Sequence, residues 1–147
     1  MAGFLIQARA VSELDPVTLY RIMALRSGVF VVEQDCAYQD LDGRDLEAGA
    51  VQFWAERDGD VLATLRVLDE PDGAVRIGRV ATSETARGQG VATALLHRAI
   101  ALSPKRDTVL GAQAHLADWY AGFGFVRDGD DYVEDGIPHT PMRRRAR

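Results

Sequence analysis

The chain has 147 residues, a net charge of −5, and 47% hydrophobic and 27% charged residues, a balance that fits one globular domain over residues 1–147 and argues against bulk nucleic-acid binding. No apolar run is long enough to cross a bilayer, the N-terminal MAGFLIQARA lacks the basic head and apolar block of a secretion signal, and the single cysteine, Cys36, cannot close an internal disulfide. These features lead us to expect a cytoplasmic protein with no membrane-spanning helix.

Residues 4–9 are predicted as a first strand. Asp15-Pro16 reads as an N-cap followed by proline at the first helical position, and Leu19, Ile22, Met23, Leu25 and Arg26 continue at helical spacing. Residues 29–32 extend or end that apolar face, and residues 36–48 are a polar, acidic loop. Residues 53–56 and 61–68 flank Arg57-Asp58-Gly59-Asp60, a hairpin signal with Asp-Gly at the turn. A second turn at 69–73 leads to a third strand at 75–81. A helix over 90–102, a buried strand at 109–112, a short helix at 116–122 and a strand starting at 123–126 follow. The basic end, residues 142–147, is read as a solvated tail. The order β-α-β-β-β-α-β-α-β predicts an α/β fold: an antiparallel meander followed by β-α-β-α-β, one mixed sheet with helices on both faces.

One stretch carries chemistry. Arg87-Gly88-Gln89-Gly90 stands between a strand and a helix. Glycine lets the main chain adopt positive φ and approach a ligand closely. The helix start adds unpaired N–H groups and the positive end of its dipole, and Arg87 adds a charge, so a pyrophosphate suits the site. A glycine turn with no ligand remains open at this point. A nucleoside-triphosphate P-loop would need a Gly-Lys-Ser/Thr ending, and a dinucleotide fingerprint would need three spaced glycines after the first strand of a parallel unit; neither is present.

Arg87-Gly88-Gln89-Gly90-Val91-Ala92 resembles the Arg/Gln-x-x-Gly-x-Gly/Ala loop of the GNAT acetyltransferase superfamily. Downstream, Trp119-Tyr120-Ala121-Gly122-Phe123-Gly124-Phe125 is similar to its aromatic-Tyr-x-x-x-Gly-Phe element. The segments at 29–34, 38–43, 111–116 and 134–139 resemble the ElaA-like branch. The resemblance implies a GNAT-like fold and acetyl-CoA as co-substrate. Its pyrophosphate would lie on Arg87, Gly88, Gln89, Gly90, Val91, Ala92 and Thr93, and its pantetheine arm along Val80, Ala81 and Thr82. Gln113 takes the slot where many relatives place an asparagine that touches the cofactor, and Tyr120 takes the position of the residue that protonates the leaving thiolate.

Transfer of an acyl group to an amine needs a base for the ammonium proton, a proton for the thiolate and a hydrogen bond to the carbonyl oxygen. Many relatives carry a glutamate on the strand before the pyrophosphate loop. Here that strand, Val75-Arg76-Ile77-Gly78-Arg79-Val80, has no acid. Glu33 is the candidate base, with Asp40, Asp42 or a relayed water as rivals and His115 as a minor one. His139, between two prolines, reads as structural. No metal-ligand spacing appears, so no metal is expected. Arg66 and Arg79 alternate with apolar neighbours and face either the cleft or solvent; in the cleft they would pair with an acidic substrate or with Glu33. The loop acids Asp40, Asp42, Asp45 and Glu47 would suit a cationic amine.

The expected partner is a small-molecule or protein amine, with no nucleic acid and no membrane; a homodimer stays open. Two other functions compete. One is a non-catalytic acyl-CoA-binding module, which has no need of a proton donor at Tyr120. The other is an acyl-homoserine-lactone-synthase-like enzyme, suggested by Leu25-Arg26-Ser27-Gly28-Val29-Phe30, against which the intact loop at 87–92 counts.

Overall fold

Asp15 starts the first helix as its sequence dictates: its carboxylate accepts the Thr18 backbone N–H at 2.9 Å, and Pro16 takes the first helical position. In the computed structural model, which describes residues 3–147, this helix, α1 (Pro16–Ser27), follows strand β1 (Leu5–Arg9). It runs on into a π-helical turn, Gly28–Glu33.

An antiparallel meander follows: β2 (Val51–Arg57), β3 (Asp60–Asp69) and β4 (Val75–Thr82). The expected Asp-Gly turn joins β2 to β3. Asp58 and Gly59 have φ of 52° and 84°, the pair of left-handed residues that a two-residue hairpin needs for its strands to keep their twist. After β4 come α2 (Val91–Leu102), β5 (Thr108–Gln113), α3 (Ala117–Ala121), β6 (Val126–Arg127), β7 (Tyr132–Glu134) and β8 (Ile137–Arg144). The sheet has the order β1-β2-β3-β4-β5-β8-β6, with β7 paired to β8.

Helices cover both faces. Val91, Leu95, Leu96, Ala99 and Ile100 of α2 pack on Phe53, Leu65, Val67 and Ile77 to form the apolar core. On the other face α1 buries Arg26 beside Gln52 and Arg66, which meet it through Asp45.

Two features open the sheet. β4 and β5 are parallel but pair only at Val75–Thr108 and Arg76–Val109, so they diverge beyond these positions. β4 also bulges: Thr64 faces Ala81 but Arg66 faces Gly78, and between them Arg79 adopts φ 53°. The extra residue bends β4 away from its neighbour.

Three expectations are corrected. The strand expected from residue 123 shrinks to Val126–Arg127, because Phe123 and Gly124 close the end of α3 through N–H bonds to Tyr120 and Ala121. The basic end is no solvated tail. Its first residues belong to β8, an inner strand between β5 and β6; Met142 is buried, and Arg143 pairs with Asp107 at 2.9 Å and Asp128 at 3.1 Å. The β7–β8 hairpin, absent from the sequence reading, turns on Asp135 and Gly136 at φ 52° and 77°.

Candidate active site

The divergence of β4 and β5 leaves a cavity of about 1130 Å³. At one end lies the glycine loop. Gly88 and Gly90 have φ of 77° and 76°, and a Cβ at either would meet no atom within 4 Å. Gly90 caps α2 without any side-chain bond to the first turn, so the N–H groups there stay available to an anion. This cradle fits a pyrophosphate. Gly88, Ala92 and Arg87 line the cavity, as do Val80, Ala81 and Thr82 of β4. Gln89 donates its side-chain amide to the Thr85 carbonyl at 3.0 Å, which braces the loop. Val91 turns its side chain into the core, leaving only its backbone to the loop, and Thr93, on α2, does not line the cavity.

Arg87 donates to the Thr82 carbonyl at 3.1 Å and to Glu33 at 2.7 Å. That hydrogen bond holds the Glu33 carboxyl below the usual carboxylate range. Gln113, at the end of β5, donates to Gln34 at 3.3 Å and ties the π-helical turn to the far side of the split.

Tyr120 lines the cavity from α3 and is only 6% exposed. Its ring meets Trp119 edge-on at 4.8 Å and Phe125 at 6.1 Å. Burial pushes its hydroxyl up to about 12, so it keeps its proton at neutral pH and is a donor rather than an acceptor.

The acidic loop lies opposite, and its charges are answered internally. Fully buried Arg26 donates to Asp40 at 3.0 Å and Asp45 at 2.8 Å. Arg66 reaches Asp42 at 2.8 Å and Asp45 at 3.3 Å. Arg79 lies 2.7 Å from Asp40 through Nε, an ion pair by distance whose N–H points elsewhere, and 3.2 Å from Asp42. Its guanidinium also stacks over the Tyr38 ring at 5.4 Å. The Arg66 hydrogen bond holds the Asp42 carboxyl far below its usual range. For Asp45, burial opposes ionisation, but Arg26, Arg66 and Gln52 outweigh it and the pKa falls.

The expectation that these acids receive a cationic amine is therefore corrected, as is the pairing of Arg66 or Arg79 with an acidic substrate or Glu33. Each group already holds a partner within the fold. Glu47 likewise pairs with Arg44 at 3.0 Å.

The remaining wall comes from β7 and β8. His139 is held by the Ile137 carbonyl at 2.7 Å and stacks on Tyr132 with ring centroids 5.4 Å apart. Tyr132 in turn covers Gly111, where its hydroxyl would lie 2.1 Å from any added Cβ. Only a residue without a side chain admits that ring. Glu134 and Asp135 reach the cavity from the hairpin turn. Tyr132 lies outside the segments singled out in the sequence, whereas Glu134 and Asp135 fall in the segment at 134–139, whose resemblance assigns neither acid a role; the Asp-Gly dipeptide at 135–136 is the signal that marks their turn.

The family model for the acetyltransferase (GNAT) domain matches residues 26–146. The UPF0039 protein Rv2851c of Mycobacterium tuberculosis is 49% identical over 136 residues, covering 90% of this chain and 87% of that protein. Protein ElaA of Escherichia coli is 41% identical over 141 residues, 92% of each chain. Its crystal structure superposes with a TM-score of 0.90 over 97% of this chain and 99% of that one. An acyl-CoA N-acyltransferase from Pseudomonas aeruginosa, 42% identical, superposes with a TM-score of 0.92 over 97% and 99% of the two chains.

Proposed function

This chain belongs to the GNAT acetyltransferase family, and from that premise we propose that it transfers an acetyl group from acetyl-CoA to an amine of a small molecule or protein. The observation that carries the reading is that one cavity joins the bare loop at Gly88 to the buried, protonated Tyr120. A loop alone suits a binding module. A proton donor facing the same space suits a reaction that expels a thiolate.

When bound, acetyl-CoA supplies the thioester that is attacked. The chain's own groups do the rest. N–H groups of Gly88 to Ala92 and the start of α2 hold the pyrophosphate, with Arg87 adding charge. Ala81 and Thr82 pair with β3 on one side, Val80 lies in the bulge before them, and no strand stands on the other side, since β5 pairs with β4 only as far as Arg76. Their free edge can take an extended amide-bearing arm as a strand would. Gln113 stands across the split as the amide contact. Tyr120 gives its proton to the departing sulfur. Glu33 is the proposed acceptor of the ammonium proton, through water; Arg87 makes it a weak base, which limits its contribution.

The test is Tyr120→Phe, assayed by CoA release with a panel of amines. We expect kcat to fall roughly 10- to 1,000-fold with acetyl-CoA affinity unchanged. An undiminished kcat would overturn the role of Tyr120. Tight acetyl-CoA binding with no turnover on any amine by the unmodified protein would return the chain to the binding-module class.

A further inference from the structure

An ammonium acceptor calls for a base that is unprotonated near neutral pH yet able to hold a proton. Glu33 meets that demand poorly, because Arg87 donates to it at 2.7 Å and holds its carboxyl below the usual range. Among side chains imidazole meets it best, since its ordinary titration lies closest to neutrality. Two histidines line the cavity, His115 and His139. No hydrogen bond among the described residues orients His115. His139, by contrast, is fixed in position, in plane and in tautomer.

The Ile137 carbonyl lies 2.7 Å from His139 Nδ1. A carbonyl only accepts, so Nδ1 carries the hydrogen and the neutral ring keeps its lone pair on Nε2. Nε2 has no partner among the described residues and is not sealed from the cavity. Tyr132 sets the plane of the ring, with centroids 5.4 Å apart and planes 18° apart. In β8, His139 stands directly opposite Gln113 at the end of β5, and residues directly opposite project to the same face of a sheet. Leu110 and Ala112 alternate to the other face, in the core cluster that holds Tyr120. Proton donor and lone pair therefore approach the split from its two sides.

We infer that Nε2 of His139 takes the proton of the reacting ammonium, which makes His139 a catalytic residue and the main base in place of Glu33. This rests on the acetyl-transfer reading above. The nitrogen loses two protons in all. The first passes to Nε2 and frees the lone pair, which forms the C–N bond at the thioester carbonyl. The C–S bond breaks with its electron pair on sulfur, and sulfur takes the proton of Tyr120. The second nitrogen proton restores Tyr120 through solvent, and the imidazolium releases its own, one per turnover. The titratable groups on the elements packed against this part of β8 are Tyr132 and Glu134 of β7, Asp135 at the turn and His115 after β5. Cys36 donates to the Asp135 carbonyl, and Asp131 is engaged by Thr140 and Arg127.

Two acceptors separate a base from a structural residue: butylamine, an ammonium at pH 7, and hydroxylamine, which is neutral there. His139→Asn keeps a donor for the Ile137 carbonyl but cannot accept a proton. We expect its kcat/KM to fall about 100-fold or more with butylamine, in the range of general base catalysis, and by less than about tenfold with hydroxylamine. The acidic limb of the butylamine profile should vanish in His139→Asn and in His139→Gln, and persist in Glu33→Gln and His115→Gln. An equal loss with both acceptors would make His139 structural and overturn the inference, as would an unchanged rate. A limb lost in His115→Gln and kept in both His139 variants would overturn it too. If no amine is acetylated, the acetyl-transfer reading fails on its own. Nitrogen NMR of the CoA-bound protein then decides the site: a shift of the His139 Nε2 resonance on adding butylamine supports it, and no shift overturns it.

Discussion

Two ion-pair systems border the cavity and differ in burial rather than in length. On the floor of the acidic loop, Arg26 meets Asp45 at 2.8 Å with side-chain exposures of 0% and 7%. At the mouth, Arg87 meets Glu33 at 2.7 Å with exposures of 41% and 46%. A charge removed from the buried cluster leaves its partners uncompensated in low dielectric, so the cluster behaves as one structural unit that pins residues 36–48 to α1 and β3. Water screens the pair at the mouth, and a competing anion can take its place. The same chemistry thus builds the wall in one region and leaves an exchangeable cation in the other.

Breaking the buried system should have the largest effect. Arg26→Ala should cost about 3–5 kcal/mol of stability, the range for opening a buried pair, read as a fall in the urea midpoint at unchanged slope. A loss below about 1 kcal/mol would mean that the cluster relaxes or hydrates, and the contrast with the mouth would disappear.

The glycine loop lies between the extremes. Gly90→Val places a β-branched residue at φ 76°, which costs about 1–2 kcal/mol of backbone strain but spares the core. We expect the protein to stay folded while calorimetry records at least a tenfold loss of acetyl-CoA affinity. Unchanged affinity would make the loop a turn and nothing more.

Glu33→Gln should have the smallest effect on stability, with no resolvable shift of the urea midpoint at neutral pH. Because the folded carboxyl titrates below its unfolded value, whatever the pair contributes is present above the ordinary carboxylate range and disappears as pH falls through the folded value. If Glu33 takes the ammonium proton, the variant loses the acidic limb of the kcat/KM profile. A normal profile in a stable variant refutes the base assignment.

The same sequence signal was legible in one place and silent in another. Asp58-Gly59 stood between two long stretches of strand-forming residues and read as a hairpin. Asp135-Gly136 has the same backbone, but β7 is three exposed residues long, too short to show any alternation. The arginines at 143–145 read as a solvated end because a run of like charge ordinarily is one; Asp107 and Asp128, 36 and 15 residues before Arg143, decide otherwise. The acids of the 36–48 loop were visible as acids, yet nothing local distinguishes a carboxylate bound to arginine from one that is free.

By itself the sequence determined what adjacent residues can enforce. Asp15 and Pro16 start α1, Asp58 and Gly59 close the first hairpin, and Gly88 and Gly90 supply the left-handed turn ahead of α2. Each depends on the φ preferences and hydrogen bonds of neighbours within a few residues. Only the tertiary structure decided which charges remain available. Arg26 finds Asp45 across 19 positions and Arg87 finds Glu33 across 54, and such pairing depends on distance and burial in space. Among the described residues Glu134 and Asp135, brought to the cavity by the β7–β8 turn, form no ion pair, which no local pattern in the sequence reveals.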